Sequence, residues 1–174
     1  IKTNEYFMKS TKHTLYSFII FIMLAAWENQ QKETTPVTTI AFGSCSSENN
    51  PLPIFDIVVE HKPDLFIFLG DNIYGDTKNI DTLKTKYQRL ANKSSFQNLK
   101  KTTEIIATWD DHDYGWNDSG KEYPLKEESK DVFLNFFEEP DSSSRWGHQG
   151  IYHSYDYEID GNKLQIILLD GRTF

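Results

Sequence analysis

Three short polar runs carry the residue types that hold metal ions and move protons. They are Gly43-Ser44-Cys45-Ser46, Gly70-Asp71-Asn72-Ile73-Tyr74-Gly75-Asp76 and Trp109-Asp110-Asp111-His112-Asp113-Tyr114-Gly115. Between them they offer a thiol (Cys45), a phenol (Tyr74), an imidazole (His112) and several carboxylates (Asp71 and some of Asp110, Asp111 and Asp113). So many carboxylates do not share a pocket uncompensated, because close like charges raise one another's pKa. A multivalent cation relieves that repulsion. The mixture of soft and hard donors suits a transition metal beside a harder divalent ion. An Asp bridging two ions would form the clamp used for in-line displacement at phosphorus. Singly, each run also has a plainer reading. Gly-Asp-Asn is a common turn, a lone Cys is a small buried residue, and adjacent acids form solvated loops.

The segments around these runs read as elements that would bring them together. Residues 37–42 (VTTIAF) and 65–69 (LFIFL) are β-branched or wholly apolar, and residues 104–109 (EIIATW) form a third candidate strand. An uninterrupted apolar strand is expected where a parallel sheet is covered on both faces. Residues 51–61, 80–99 and 127–137 carry helix-spaced apolar side chains. Residues 151–159 and 164–169, with Asp160-Gly161-Asn162 between them, read as an antiparallel hairpin. The order βαβαβαββ predicts an α/β layered fold. Each polar run follows a predicted strand, and ligands of open α/β sheets bind beyond the carboxyl ends of strands. The remaining histidines and aromatics read as packing or rim residues: His61 at a helix end, His148 and His153 at the surface, Trp116, Trp146 and Tyr152 in contacts.

Length and composition set the outer limits. The chain has 174 residues, 18 of them Lys or Arg and 26 Asp or Glu, for a net charge of −8. That is one domain or part of a larger one. The acidic balance argues against a general nucleic-acid surface, and a single cysteine excludes an intrachain disulfide framework. Residues 1–36 read as a targeting segment with a polar tether, and 37–174 as part of a catalytic domain. Lys9 and Lys12 precede the apolar run of residues 15–26 (LYSFIIFIMLAA), short for a membrane span of ~20 residues but suited to a signal peptide. Met8 reads as the translation start. Leu24-Ala25-Ala26-Trp27 resembles a lipoprotein signal with Trp27 where the acylated Cys would stand. The segment implies export to the periplasm, cell surface or exterior, with membrane association through it.

FGSCS at residues 42–46, LGDNIYGD at 69–76 and TWDDHDYGWND at 108–118 together resemble the alkaline phosphatase D (PhoD-like) family of calcineurin-like metallophosphoesterases. GIYHSY at 150–155 and ILLDGR at 167–172 extend the resemblance over residues 37–174. It implies a four-layer α/β/β/α sandwich, of which roughly the N-terminal half is present. It implies Fe(III) with Ca(II) or another divalent ion. Cys45 and Tyr74 would be iron ligands, Asp71 the bridging carboxylate and Asp111 a ligand of the divalent ion. His112 would contact phosphate or protonate the leaving group, with Asn72 beside the substrate. Arg172 follows the Leu-Asp pair as in family members, with no role assigned. Further metal-binding residues of the family belong to a C-terminal region beyond this sequence, so the chain reads as a fragment.

The expected function is that of an exported, monomeric hydrolase of phosphoric mono- or diesters, with a metal-activated water attacking phosphorus. The rival readings are a truncated relative that binds metal or phosphate without turnover, and a cysteine hydrolase using Cys45 and His112.

Overall fold

The computed structural model describes residues 36–174. The expected targeting segment and most of its tether lie outside the described residues. Among the described residues, no helix is long and apolar enough to cross a membrane.

Strands β1 (Ile40–Gly43), β2 (Leu65–Leu69) and β3 (Glu104–Thr108) form a parallel sheet in the order β1-β2-β3. Ile40 pairs with Leu65, and Leu65 with Glu104. β2 is central, and its two faces separate two apolar clusters. Phe66 and Phe68 join Ala107 and the helices on one side. Leu65 and Ile67 join Ile106 and the hairpin on the other. Successive strand side chains point to opposite faces, so residues 65–68 are all apolar because both faces are covered there, while Leu69 at the strand end is exposed.

The helical side holds α1 (Ile54–Glu60), α2 (Ile80–Ala91), α3 (Ser94–Thr102), the short α4 (Asp111–Tyr114) and α5 (Lys126–Phe136). Phe55 of α1 meets Phe66 and Phe68 edge-on, with ring centroids 6.0 and 5.7 Å apart. His61 closes α1, its Nδ1 donating to the Ile57 carbonyl at 2.8 Å. Residues 80–99, expected to be helical in part, hold two helices. Asn79 caps α2 by accepting the Thr82 N–H at 3.0 Å. Leu83, Tyr87 and Leu90 are buried along α2. A straight continuation would carry Phe96 off that stripe, since six positions from Leu90 fall on another face. Lys93 instead adopts an extended conformation, and the chain restarts as α3 with Phe96 and Leu99 buried.

On the opposite side, β4 (His153–Ile159) and β5 (Asn162–Leu168) pair antiparallel, from His153 with Leu168 to Ile159 with Asn162. The two-residue turn, Asp160-Gly161, has φ of 49° and 75°, the paired positive values that suit the right-handed twist of a hairpin. Helices, parallel sheet and hairpin thus make three layers, α/β/β. β1 begins later than its β-branched sequence suggests. The Asp64 carboxylate takes the Thr38 and Thr39 N–H groups at 2.8 and 2.9 Å, so these do not enter the ladder.

Asp170 fastens the end of the hairpin. Its Oδ2 accepts the Ile151 N–H and the Thr173 hydroxyl, both at 2.8 Å. Its Oδ1 accepts the N–H groups of Arg172 and Thr173 at 2.9 and 3.0 Å. Burial pushes this carboxyl up, but the Thr173 and Arg172 amides with Trp109 and Ile151 outweigh it and hold the pKa below the usual value. A folded-state pKa below the unfolded one stabilises at pH values above the unfolded pKa, and the contribution vanishes as pH falls through the folded pKa. Asp170→Asn is therefore expected to cost ~1–3 kcal/mol at neutral pH. Denaturant unfolding from pH 7 into the acid range should show the wild-type advantage shrinking only below about pH 4; a pH-independent difference would contradict this.

Candidate metal centre

The three polar runs leave the carboxyl ends of β1, β2 and β3 and are tied together by backbone bonds. Cys45 N–H donates to Gly70 O at 3.1 Å and Ser46 N–H to Asp71 O at 2.8 Å. Ser46 Oγ donates to Asn72 O at 2.9 Å. Cys45 and Asp71 both hold positive φ, 61° and 52°, a conformation that costs non-glycine residues and persists where surroundings enforce it. After β3, Asp110 caps α4, its Oδ1 accepting the Asp111 N–H at 3.0 Å. Gly75 N–H donates to His112 O at 3.0 Å, and Thr77 N–H to Gly115 O at 2.9 Å.

This stitching brings Asp71, Asp111 and His112 together, with one donor atom from each lying within 4.8 Å of the others. Cys45 Sγ donates to Asp71 Oδ2 at 3.6 Å. The Tyr74 ring lies against His112, centroids 4.4 Å apart. Asp71 Oδ1 is buried and has no hydrogen-bond partner. An orphaned carboxylate oxygen facing such a donor set is what a cation would satisfy. Thiol, phenol, carboxylates and imidazole together fit a metal ion in chemical type.

Electrostatics within the cluster are uneven. Burial pushes the Asp71 carboxyl up, opposed by His112 and reinforced by Asp110 and Asp111. Burial and the neighbouring Cys45 push the Tyr74 phenol up to about 12. At Asp111, burial is outweighed by the Asp118 amide and the Arg172 guanidinium, which hold the carboxyl below its ordinary value. His112 is lowered by burial but raised overall by its bond to Asp76 and by the surrounding carboxylates. Its Nδ1 donates to Asp76 Oδ1 at 2.7 Å. This fixes the ring orientation and leaves Nε2 for other partners.

Of the expected site residues, Asp71, Asp111 and His112 come together, with Cys45 against Asp71 and Tyr74 against His112. Asn72, expected beside the substrate, is fully buried. Its amide donates to Thr108 O at 3.0 Å, behind the cluster. Asp113 is also fully buried and stands apart from the donor group, accepting main-chain bonds from Asn72, Ile73 and Asp110. Trp116, expected in packing, is 42% exposed with Lys78 Nζ 3.9 Å from its ring centroid.

Sequence reasoning left three participants without roles. Arg172 donates to Asp110 Oδ1 at 2.5 Å and to Asp111 Oδ1 at 3.3 Å, linking the segment after the hairpin to α4. Asp76 ends the second run, and its place five positions after Asp71 is the only signal that marked it. Glu48 accepts the Tyr74 N–H, a main-chain contact with no side-chain pattern to betray it. A cavity of about 510 Å³ between α2 and α5 is lined by none of the cluster residues.

No protein-family model and no curated protein matches the chain. A solved structure of PhoD does, with a TM-score of 0.57 and 23% identity over 81% of this chain. The likeness shows the fold: a PhoD-like α/β arrangement. The chain spans about a third (32%) of the length of that PhoD chain.

Gly70 lies where the second run turns, with φ of +106°. A Cβ there would meet Asp110 Cβ at 2.7 Å and Asp110 N at 2.8 Å. Gly70→Ala is expected to lower stability by ~1–3 kcal/mol and to weaken metal binding by parting the second and third runs. Thermal denaturation and a metal titration check both effects, and wild-type values in both would contradict the close approach.

Proposed function

We propose that the chain is part of the catalytic domain of an exported, metal-dependent hydrolase of phosphoric esters. The observation that carries this reading is the meeting of Asp71, Asp111 and His112 within 4.8 Å at the carboxyl ends of parallel strands. Cys45 and Tyr74 complete the donor set. In this reading Cys45, Tyr74 and Asp71 hold Fe(III), and Asp71 and Asp111 hold Ca(II) or another divalent ion. When bound, such ions supply positive charge for the phosphoryl oxygens and a water acidic enough to lose its proton near neutral pH.

The chain's own residues do the rest. Asp71 would hold both ions, and its Oδ1 is buried without a hydrogen-bond partner. His112, aligned by Asp76 at Nδ1, presents Nε2 to the leaving-group oxygen and gives it a proton. Arg172 balances Asp110 and Asp111 and holds Asp111 in place. The substrate class is a phosphate mono- or diester, whose anionic group needs the cations in a chain of net charge −8. Export is supported by the basic flank and apolar run of residues 9–26, and a monomer is the expected assembly.

The test is hydrolysis of 4-nitrophenyl phosphate and bis(4-nitrophenyl) phosphate by the purified chain. Chelation should abolish activity, and Fe(III) with Ca(II) should restore it. His112→Ala should lower kcat ~10²–10⁴-fold. Asp76→Asn should lower it ~10–100-fold with KM little changed. Activity indifferent to chelation would sink the proposal. Metal binding by the same chain without turnover would favour the reading of a binding module.

A further inference from the structure

Glu48 lies three residues beyond Cys45, between β1 and α1, and is only 2% exposed. A carboxylate buried so deeply is costly unless its oxygens are engaged. Oε2 accepts the Tyr74 N–H at 2.9 Å. Oε1 accepts the Asn49 side-chain amide at 2.8 Å and lies 3.8 Å from Lys86 Nζ. Lys86, on α2, also donates to the Tyr74 carbonyl at 2.6 Å. The main chain of Tyr74 is therefore gripped on both sides, its N–H by an acid and its C=O by a base. Arg89, also on α2, donates to Asn49 Oδ1 at 3.0 Å, so the helix braces the Glu48 segment a second time.

A simple loop brace would need only the contacts of α2 with this segment. It would not need a buried carboxylate on the amide of the one residue whose phenol stands with Cys45. Glu48 and Cys45 share one short segment, so the same bond that holds Tyr74 also sets its distance from the thiol. The geometry points to Glu48 and Lys86 as positioning residues that fix the Tyr74 main chain, and thereby direct its phenol into the donor set of the metal centre. This inference rests on the metal-centre reading above and extends it to two residues that touch neither metal nor substrate.

The experiment titrates the purified, metal-free chain with Fe(III) nitrilotriacetate. The readout is the visible phenolate-to-iron charge-transfer band, with circular dichroism confirming that each variant is folded. Tyr74→Phe should abolish the band. Glu48→Asp, one methylene too short to reach the Tyr74 N–H, should weaken Fe(III) binding ~10–100-fold and lose most of the band. Glu48→Gln keeps the length and one acceptor and should restore most of it. Lys86→Met leaves the Glu48 contact and should give an intermediate loss; it carries the test if Glu48→Asp does not fold. Folded Glu48→Asp or Lys86→Met chains with wild-type band and affinity would overturn the positioning role while leaving the metal centre standing. A wild-type chain with no band that Tyr74→Phe removes would overturn the iron reading and this inference with it.

Discussion

Asp113 draws donors from three separate segments, and the geometry of the candidate centre follows from that convergence. Its Oδ1 accepts the Asn72 N–H at 3.1 Å, the Ile73 N–H at 3.3 Å and the Tyr87 hydroxyl at 2.9 Å. Its Oδ2 accepts the Asp110 N–H at 3.1 Å. Burial pushes this carboxyl up to about 7, with the Asp110 and Asn72 amides and Tyr87 opposing the shift. Asp71 immediately precedes Asn72, while Asp111 and His112 lie between Asp110 and Asp113. One carboxylate thus sets the second and third runs against each other, and α2 behind both. It adds to the backbone bonds that already join the runs.

The donors themselves are held under conformational and electrostatic load. Cys45 and Asp71 take left-handed backbone angles, and each makes a cross-loop backbone bond, with the Cys45 thiol bonded to Asp71 between them. Acidic side chains crowd the same space, with Arg172 as a counter-charge and His112 paired to Asp76. Strain and like charge are both tolerated where a surrounding network over-determines the geometry. Here the network is the capped turn of α4, the Asp113 hub and the grip of Glu48 and Lys86 on Tyr74.

The core of the fold was legible because its pattern is dictated by burial. LFIFL reads as a two-faced strand, and Asp160-Gly161 reads as a tight hairpin turn, each from strictly local chemistry. Residues 80–99 read as only partly helical, and the place of the break at Lys93 was not legible, since it depended on where Phe96 and Leu99 find the core. Among the site residues, the approach of Asp71, Asp111 and His112, with Cys45 and Tyr74 alongside, follows from parallel strands ending together. The division of labour within Asp110-Asp111-His112-Asp113 does not. A carboxylate that ligates and one that caps a helix look alike in sequence, and here Asp113 serves the main chain. Asn72 shows the same limit: the resemblance placed it beside the substrate, and its burial and its bond to Thr108 O could not be read from the motif.

The hairpin turn and the parallel sheet differ in a way that bears on assembly. β4 and β5 meet across two residues, but β1 finds β2 and β2 finds β3 only across whole helices. Every donor of the centre sits at the end of one of these distant pairings, and Arg172 arrives from beyond the hairpin. The donors span residues 45–112, about half of the described length, and Arg172 extends the set nearly to its end. An ion held there would draw its affinity from the same free energy that joins the strand ends, and would return it as resistance to unfolding.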